Sequence, residues 1–361
     1  MSLPKTYKSL VSTVTEDGQL RMEIVEKPMP VPKADQVLIK VQACPINPSD
    51  HGVMFGYSDM SSAKNEGDAL VAPVPPMGMR MMKARIGQAL PLGNEGAGTV
   101  VAAGESDAAQ ALMGRTVAAM GGGMYAEYRA VPVMSVLPVN DGNTARQAAS
   151  SFVNPLTALC FPETIKNEGH SAIVHTAAAS NLGQMLVKIC KADGIPLVNI
   201  VRKQEQVDIL KAIGATHIIN SSDDDFIPKL IDAIHETGAT LAFDATGGGK
   251  LASDILTAME GAAARTLLNL PAALLRVLSG KPVVRDGQTL DVQTQMLLRM
   301  QRLRGNAAIG GRAVSVERAE MDTQAQLLEP TTEHAVETRD IQLAGADGPL
   351  TARLYRPNGV T

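Results

Sequence analysis

From about residue 165 to residue 249 the chain alternates short apolar runs with amphipathic ones, and no other feature limits its fold as tightly. "HSAIVHTA" reads as a buried strand, "NLGQMLVKICKADG" as a helix closed by Gly194, and "PLVNIV" as a second strand. "QEQVDILKAIG" is a further helix ending at Gly214, followed by strands "THIINS" and "TLAFDATGGG". Strand and helix in strict turn specify a parallel, doubly wound α/β sheet with right-handed crossovers. The expected strand order is 3-2-1-4.

The preceding 150 residues have a different rhythm. "LRMEIVEKPMPVPKADQVLIKVQAC" breaks apolar runs with turn signals, and Val37, Ile39 and Val41 recur at period two. "EGAGTVVAAGE", "GRTVAAM" and "MYAEYRAVPV" repeat the pattern, each near Gly, so this part is expected to be a β-rich, barrel-like domain. Residues 58–90 are rich in Met, Pro and Ala and read as loose core or loop packing.

The turn after the first parallel strand, "VHTAAASNLGQM", lacks G-x-G-x-x-G but keeps small residues three apart at Ala177, Ser180 and Gly183. Such a turn needs backbone N–H groups able to approach a pyrophosphate, and a small residue where the helix packs on the strand. After the second strand, "NIVRKQEQ" offers Arg202 and Lys203 where an NAD site would carry an acidic acceptor for the ribose 2′-OH. Two cations suit a 2′-phosphate, and at a helix N-terminus they oppose the helix dipole unless an anion joins them. NADPH is therefore the expected cofactor. Its expected contacts are Ala179, Ser180, Asn181, Leu182 and Gly183 in the turn, with Arg202, Lys203 and Gln204 after the second strand.

Composition excludes other classes. A formal net charge of −4, with Lys and Arg spread along the chain, leaves no basic track for nucleic acid. No apolar run reaches the roughly 18 residues of a membrane span. Cys44, Cys160 and Cys190 form no C-x-x-C and follow no secretory signal, which fits reduced thiols in a cytoplasm. His51, His170, His175, His217 and His235 show no metal-ligand spacing. A small molecule is the expected partner, and self-association into a homo-oligomer stays open.

"INPSD" (46–50), "GNEGAGTVVAAGE" (93–105), "YAEY" (125–128), "NPLTA" (154–158), "LKAIGATHIIN" (210–220) and "FDATGGG" (243–249) stand in one order and spacing. Through them residues 8–262 resemble the medium-chain dehydrogenase/reductase superfamily, above all its zinc-independent quinone oxidoreductase and 2-enoyl thioester reductase branches. The resemblance implies a GroES-like substrate and catalytic domain over residues 1–150 and a Rossmann NADP-binding domain over 151–262.

Zinc-dependent relatives place a Cys three residues before the Asp of the first motif and a His before the Glu of the second. Here those positions hold Asn47, before Asp50, and Asn94, before Glu95, and neither is a good zinc ligand. No metal is expected. The chemistry implied is NADPH-dependent reduction of a quinone or of the conjugated C=C of an enone or enoyl thioester. Similarity to the reductases makes Tyr57, displaced by about one position, the candidate proton donor, and Asn154 a cofactor contact. Asp244, ending the fourth strand, reads as structural.

Beyond "KLASDILTAME" the resemblance stops. Leu267, Leu268, Leu270, Leu274, Leu275 and Leu278 fall at helical spacing, a polar turn spans Arg285 to Gln288, and Met296, Leu297, Leu298 and Met300 mark a second amphipathic helix. A helix over Val316 to Leu328 and a hairpin turning at Ala344 to Gly348 follow. Residues 263–361 resemble the N-terminal cap and first hairpin of hormone-sensitive-lipase-like esterases, although no G-x-S-x-G occurs in the chain. A join of two incomplete pieces near residue 262 is expected, with catalysis impaired by the missing half-sheet. Two other readings stay open: a nucleotide-binding protein without catalysis, and a non-functional hybrid of reductase and esterase cap.

Overall fold

The computed structural model describes residues 3–285, 287–303, 336–345 and 348–357. Two compact units divide the chain, Met1–Glu163 and Thr164–Thr361.

The first unit is built on β1 (Thr6–Val14), β2 (Gln19–Pro28) and β3 (Gln36–Ala43), followed by helix α1 (Pro48–Met54). Strands β4 (Lys64–Glu66) and β5 (Ala69–Pro73), helix α2 (Pro76–Met81) and strand β6 (Leu90–Pro91) lie within the Met-rich stretch. Next come β7 (Glu95–Ala103), α3 (Asp107–Gln110), β8 (Thr116–Met120), β9 (Tyr128–Pro132), β10 (Val136–Pro138) and α4 (Ala145–Ala148). The strands form two five-stranded antiparallel sheets, ordered β4-β5-β2-β1-β6 and β10-β8-β7-β3-β9. They are stitched where the Leu10 N–H donates to the Tyr125 carbonyl at 2.8 Å and the Glu127 N–H to the Lys8 carbonyl at 2.9 Å.

Val37, Ile39 and Val41 pack together on one face of β3 with Val100, Val117 and Val131, as their spacing requires. Leu38 is buried too, so this central strand is covered on both faces. Residues 58–90 are more ordered than a loop reading allows: β5 extends the first sheet beside β2, and Met82 is buried with Val14 and Leu20. The thioethers at Met77 and Met81 stay exposed.

Helix α5 (Val153–Glu168) leads from the first unit into the second. The second contains β11 (Ile173–His175), α6 (Asn181–Asp193), β12 (Leu197–Val201), α7 (Gln204–Ala212), β13 (His217–Asn220), α8 (Phe226–Thr237) and β14 (Leu241–Phe243). All pairings are parallel and the order is β13-β12-β11-β14, the expected 3-2-1-4. Gly194 and Gly238 take left-handed conformations, φ 68° and 67°, where α6 and α8 stop.

Past β14 come α9 (Leu251–Leu268), α10 (Ala272–Ser279), a short ribbon of β15 (Val284–Arg285) and β16 (Gln288–Thr289), and α11 (Val292–Leu303). The leucines from 267 to 278 thus lie on two helices rather than one: Leu267 and Leu268 end α9, and Leu274, Leu275 and Leu278 belong to α10. Pro271 explains the break, because its ring disfavours helical backbone in the residue before it. Helix α9 continues through residue 262 without interruption, and Ile255, Ala258 and Ala262 share a core with Phe226, Leu230, Ile231 and Ile234 of α8. Strands β17 (Val336–Gly345) and β18 (Gly348–Pro357) form the expected antiparallel hairpin. The helix expected over residues 316–328 lies outside the described residues.

Candidate functional site

The turn from Ala177 to Gly183 lies at the carboxyl end of β11, the end at which open parallel sheets bind ligands. Its three small residues do three different things. Ala177 adopts φ 50°, a left-handed conformation that costs an L-residue about 1–2 kcal/mol. Ser180 is the N-cap of α6, its hydroxyl accepting the Gly183 N–H at 3.1 Å. Gly183 is packed so closely on the Ala178 carbonyl that no β-carbon fits. The first N–H groups of α6, those of Asn181 and Leu182, have no helical acceptor and carry the positive end of the helix dipole.

Neighbouring strands complete this edge. The Ala178 N–H donates to the Ile200 carbonyl at 3.2 Å, tying the turn to β12. Gln206 Oε1 accepts from the Arg202 N–H at 2.9 Å and the Lys203 N–H at 3.2 Å, closing the start of α7. Both cationic side chains are exposed, and neither forms an ion pair among the described residues. Gln204 is turned along the helix, its Nε2 on Asp208 Oδ1 at 2.9 Å.

On the other side, the buried Thr176 hydroxyl donates to Asp244 Oδ1 at 2.8 Å and accepts the Ala245 N–H at 2.8 Å. This locks the loop after β14 to the turn after β11. Thr246 also donates to Asp244, and with Thr176 it lowers that carboxyl to about 2. His175 is fully buried, with Nδ1 at 3.2 Å from the Phe243 carbonyl, and burial lowers its pKa.

A second polar cluster occupies the first unit, where metal-dependent relatives would hold zinc. Asp50, at the third position of α1, is 2% exposed, and its two oxygens accept the Asn47 N–H at 2.8 Å and the Asn94 N–H at 2.9 Å. Glu95, at the head of β7, is 1% exposed and accepts three times. Oε1 takes Asn47 Nδ2 at 2.9 Å, and Oε2 takes the N–H groups of Phe152 at 2.8 Å and Val153 at 3.2 Å. The carboxylate therefore sits on the N-terminus of α5, where the helix dipole favours it.

Asn154, one residue into that helix, points Nδ2 at Asn47 Oδ1 across a long 3.5 Å contact. Asn94 Nδ2 donates to Ser49 Oγ at 3.0 Å, and the Tyr125 hydroxyl to the Pro45 carbonyl at 2.9 Å. Burial, reinforced by Asp50, raises the Tyr125 pKa. Burial first, then Asp50 and Glu95, pushes the Cys44 thiol up to about 12, and its Sγ lies 3.0 Å from the Met124 carbonyl.

Tyr57 stands outside this network. It follows α1 in a turn, is 57% exposed, and backs onto Gly78, with no hydrogen bond to the cluster among the described residues. Asn154 is joined to Asn47 and, through it, to Glu95; Tyr57 is not. Sequence reasoning singled out neither Glu95 nor Tyr125 as a working residue. The only signal was their place inside the motifs "GNEGAG" and "YAEY".

Two family descriptions match the chain, "Alcohol dehydrogenase GroES-like domain" over residues 33–141 and "Zinc-binding dehydrogenase" over residues 182–281. The second match extends past residue 262 into α10. A Mesorhizobium loti protein assigned as an NADPH:quinone reductase is 30% identical, superposes with a TM-score of 0.55, and the match covers 72% of each chain. Quinone oxidoreductase of Escherichia coli, solved with NADPH, shares the fold at 18% identity and a TM-score of 0.50, over 69% of this chain and 68% of that one.

Among curated relatives, the rat synaptic vesicle membrane protein VAT-1 homolog is 27% identical over 62% of this chain and 49% of its own length. Mouse prostaglandin reductase-3 is 27% identical over 68% of this chain and 59% of its own. The chain thus spans about half the length of the first curated relatives it matches. Barrel, parallel sheet and motif order agree with these matches: the chain belongs to the medium-chain dehydrogenase/reductase family.

Proposed function

We propose that the chain is an NADPH-dependent oxidoreductase that works without zinc and reduces a quinone or the conjugated C=C of an enone or enoyl thioester. The observation that carries this reading is the turn from Ala177 to Gly183, where a glycine with no room for a β-carbon brings the helix N-terminus against the strand end. That is the cradle a pyrophosphate needs. Ser180 removes the Gly183 amide from competition, and the amides of Asn181 and Leu182 face the negative charge. Arg202 and Lys203, exposed and without ion pairs among the described residues at the start of α7, suit a 2′-phosphate that an acidic residue would repel.

When bound, NADPH supplies a hydride to an electrophilic carbon. The chain's part in this reading is to hold the dinucleotide, with the turn from Ala177 to Gly183 taking the pyrophosphate and Arg202 and Lys203 the 2′-phosphate. The donor set supports zinc independence: Asn47 commits its amide to Glu95 and Asn154, and Asn94 donates to Ser49. Among the described residues no group of three or more His, Cys, Asp or Glu could hold a metal ion. Metal analysis of the dialysed protein is expected to find no stoichiometric zinc.

Fluorescence titration with NADPH and NADH, followed by oxidation of NADPH with a 2-enoyl thioester or a quinone, tests the reading. Tighter binding of NADPH with measurable turnover supports it, and absence of NADPH binding overturns it. The exposure of Tyr57 favours a second reading, binding without catalysis, which predicts NADPH affinity and no oxidation of it.

The hairpin of β17 and β18 supports the likeness of the last part of the chain to an esterase cap. No hydrolase chemistry is assigned to it.

A further inference from the structure

Strand β12 has one polar residue in an otherwise apolar run, and all five of its residues are buried. Val198 and Ile200 share a core with Leu230 and Ile231 of α8, so alternation along the strand turns Asn199 to the opposite face, towards α6. There it is 1% exposed. Its Nδ2 donates to the Leu197 carbonyl at 3.1 Å and to the His217 carbonyl at 3.2 Å, which uses both amide hydrogens. Reversing the amide would set an oxygen against two carbonyls, so its orientation is fixed. Oδ1 is the end left over, and no protein donor reaches it. A buried acceptor without a donor is costly and calls for a partner.

Asn199 lines a cavity of about 290 Å³ at the amino-terminal ends of β12 and β13, the opposite end of the sheet from the turn after β11. At about 30 Å³ per water the space matches roughly ten waters, or a molecule of about ten non-hydrogen atoms. Val187, Ile195, Pro196 and Leu197 give it apolar sides. Cys190 adds a thiol that burial pushes up to about 12, so it brings no charge. Lys191 is the only lysine, arginine or carboxylate in the lining. No ion pair holds it among the described residues, and its Nζ reaches from α6 to stand over Gly214, where a β-carbon would meet it.

We propose that this cavity binds a small phenolic carboxylate, whose hydroxyl donates to Asn199 Oδ1, whose ring lies against the apolar sides, and whose carboxylate faces Lys191. A phenol suits the acceptor better than an aliphatic alcohol, because it is the stronger donor and brings a rigid apolar body. The site is built wholly within the second unit, and its occupancy needs no dinucleotide.

The test is calorimetric titration of the full chain with para-hydroxybenzoate and with two relatives that each lack one feature. para-Methoxybenzoate has no donor, and para-hydroxybenzamide has no charge. A ligand of this size is expected to bind with a dissociation constant on the order of 1 mM. The methoxy compound is expected to bind roughly fivefold more weakly, the size of one neutral hydrogen bond. The benzamide is expected to lose about threefold, as is para-hydroxybenzoate with Lys191→Gln, since a partly solvated ion pair contributes little more. In Asn199→Leu the hydroxy and methoxy compounds are expected to bind alike.

Should Asn199→Leu fail to fold, the side-chain amide resonances of Asn199 in the wild-type protein decide the same point: they are expected to shift on saturation with para-hydroxybenzoate. Resonances that stay fixed would overturn the proposal. So would equal affinity of wild type for the hydroxy and methoxy compounds, or an unchanged affinity in Lys191→Gln. A cavity that holds only water gives no saturable binding, and that result would overturn it outright.

Discussion

Gly183 and the carbonyl of Ala178 are in such close contact that a methyl group at residue 183 would collide with the oxygen. The collision is with backbone, so no rotamer change relieves it. Gly183→Ala is expected to destabilise the protein by about 1–3 kcal/mol, the usual cost of overpacking, and to weaken NADPH binding by pushing α6 away from β11. Urea denaturation and fluorescence titration measure the two effects. A variant with wild-type stability and affinity would show that the turn does not need this approach.

Ala177 and Gly183 respond in opposite directions although both sit in one turn. At Ala177 the backbone is left-handed, φ 50°, and its β-carbon is the source of strain. Ala177→Gly is expected to stabilise the protein by about 0.5–1 kcal/mol, since the relief of about 1–2 kcal/mol is offset in part by the entropy glycine loses on folding. A lowered urea midpoint would show that the methyl packs usefully and that strain is not what limits the turn.

In the proposed function Arg202 and Lys203 carry the cofactor preference. The paired substitution Arg202→Ala and Lys203→Ala is expected to weaken NADPH binding about tenfold or more and leave NADH nearly unchanged, because only the 2′-phosphate loses its counter-charges. Equal affinity of wild type for the two cofactors would refute the assignment before any variant is made.

The residues behind these predictions differ in how far the sequence revealed them. The order β13-β12-β11-β14 and the close helix–strand approach at Gly183 followed from local patterns, since alternation and small-residue spacing act within a few tens of residues; the N-cap role of Ser180 was not read from them. The left-handed backbone at Ala177 had no such signal, because alanine there looks like any small residue. Glu95 was harder still. Its partners are Asn47, Phe152 and Val153, 48 to 58 positions away, and no spacing rule reaches across folded strands to bring them together. Asn47 and Asn94 were legible as poor metal ligands; that one of them donates to a buried carboxylate was not.

Thiol chemistry checks the burial pattern without any ligand. Burial pushes Cys44 and Cys190 each up to about 12, while Cys160 is exposed. At pH 8 a thiol of that kind is ionised in only about one molecule in ten thousand, and the thiolate is the nucleophile. Iodoacetamide is expected to label Cys160 first, with Cys44 and Cys190 following only on denaturation or as the pH approaches 12. Peptide mapping that finds Cys44 labelled early, at about pH 8, would contradict the buried cluster around Asp50 and Glu95.

The last prediction concerns residue 262, where the likeness to reductases was expected to break. Helix α9 crosses that position and continues to make contacts characteristic of an interior: Arg265 is 7% exposed and ion-paired with Asp232 of α8, and His235 Nδ1 lies 3.1 Å from Thr266 Oγ1. Further on the surface changes character, with Leu274, Val277 and Leu278 exposed on α10. Packing against α8 thus runs past residue 262 to Thr266, so the boundary of the cooperative α/β unit is expected beyond 262. Arg265→Ala is expected to cost about 2 kcal/mol, less than the roughly 3–5 kcal/mol for breaking a fully buried pair, because Asp232 keeps some solvent. Val277→Ser on α10 is expected to change stability by less than about 0.5 kcal/mol, as exposed positions do. Urea midpoints of the two variants decide between the boundaries. An Arg265→Ala protein as stable as wild type would mean that α9 contributes nothing beyond Ala262 and would return the boundary to that residue.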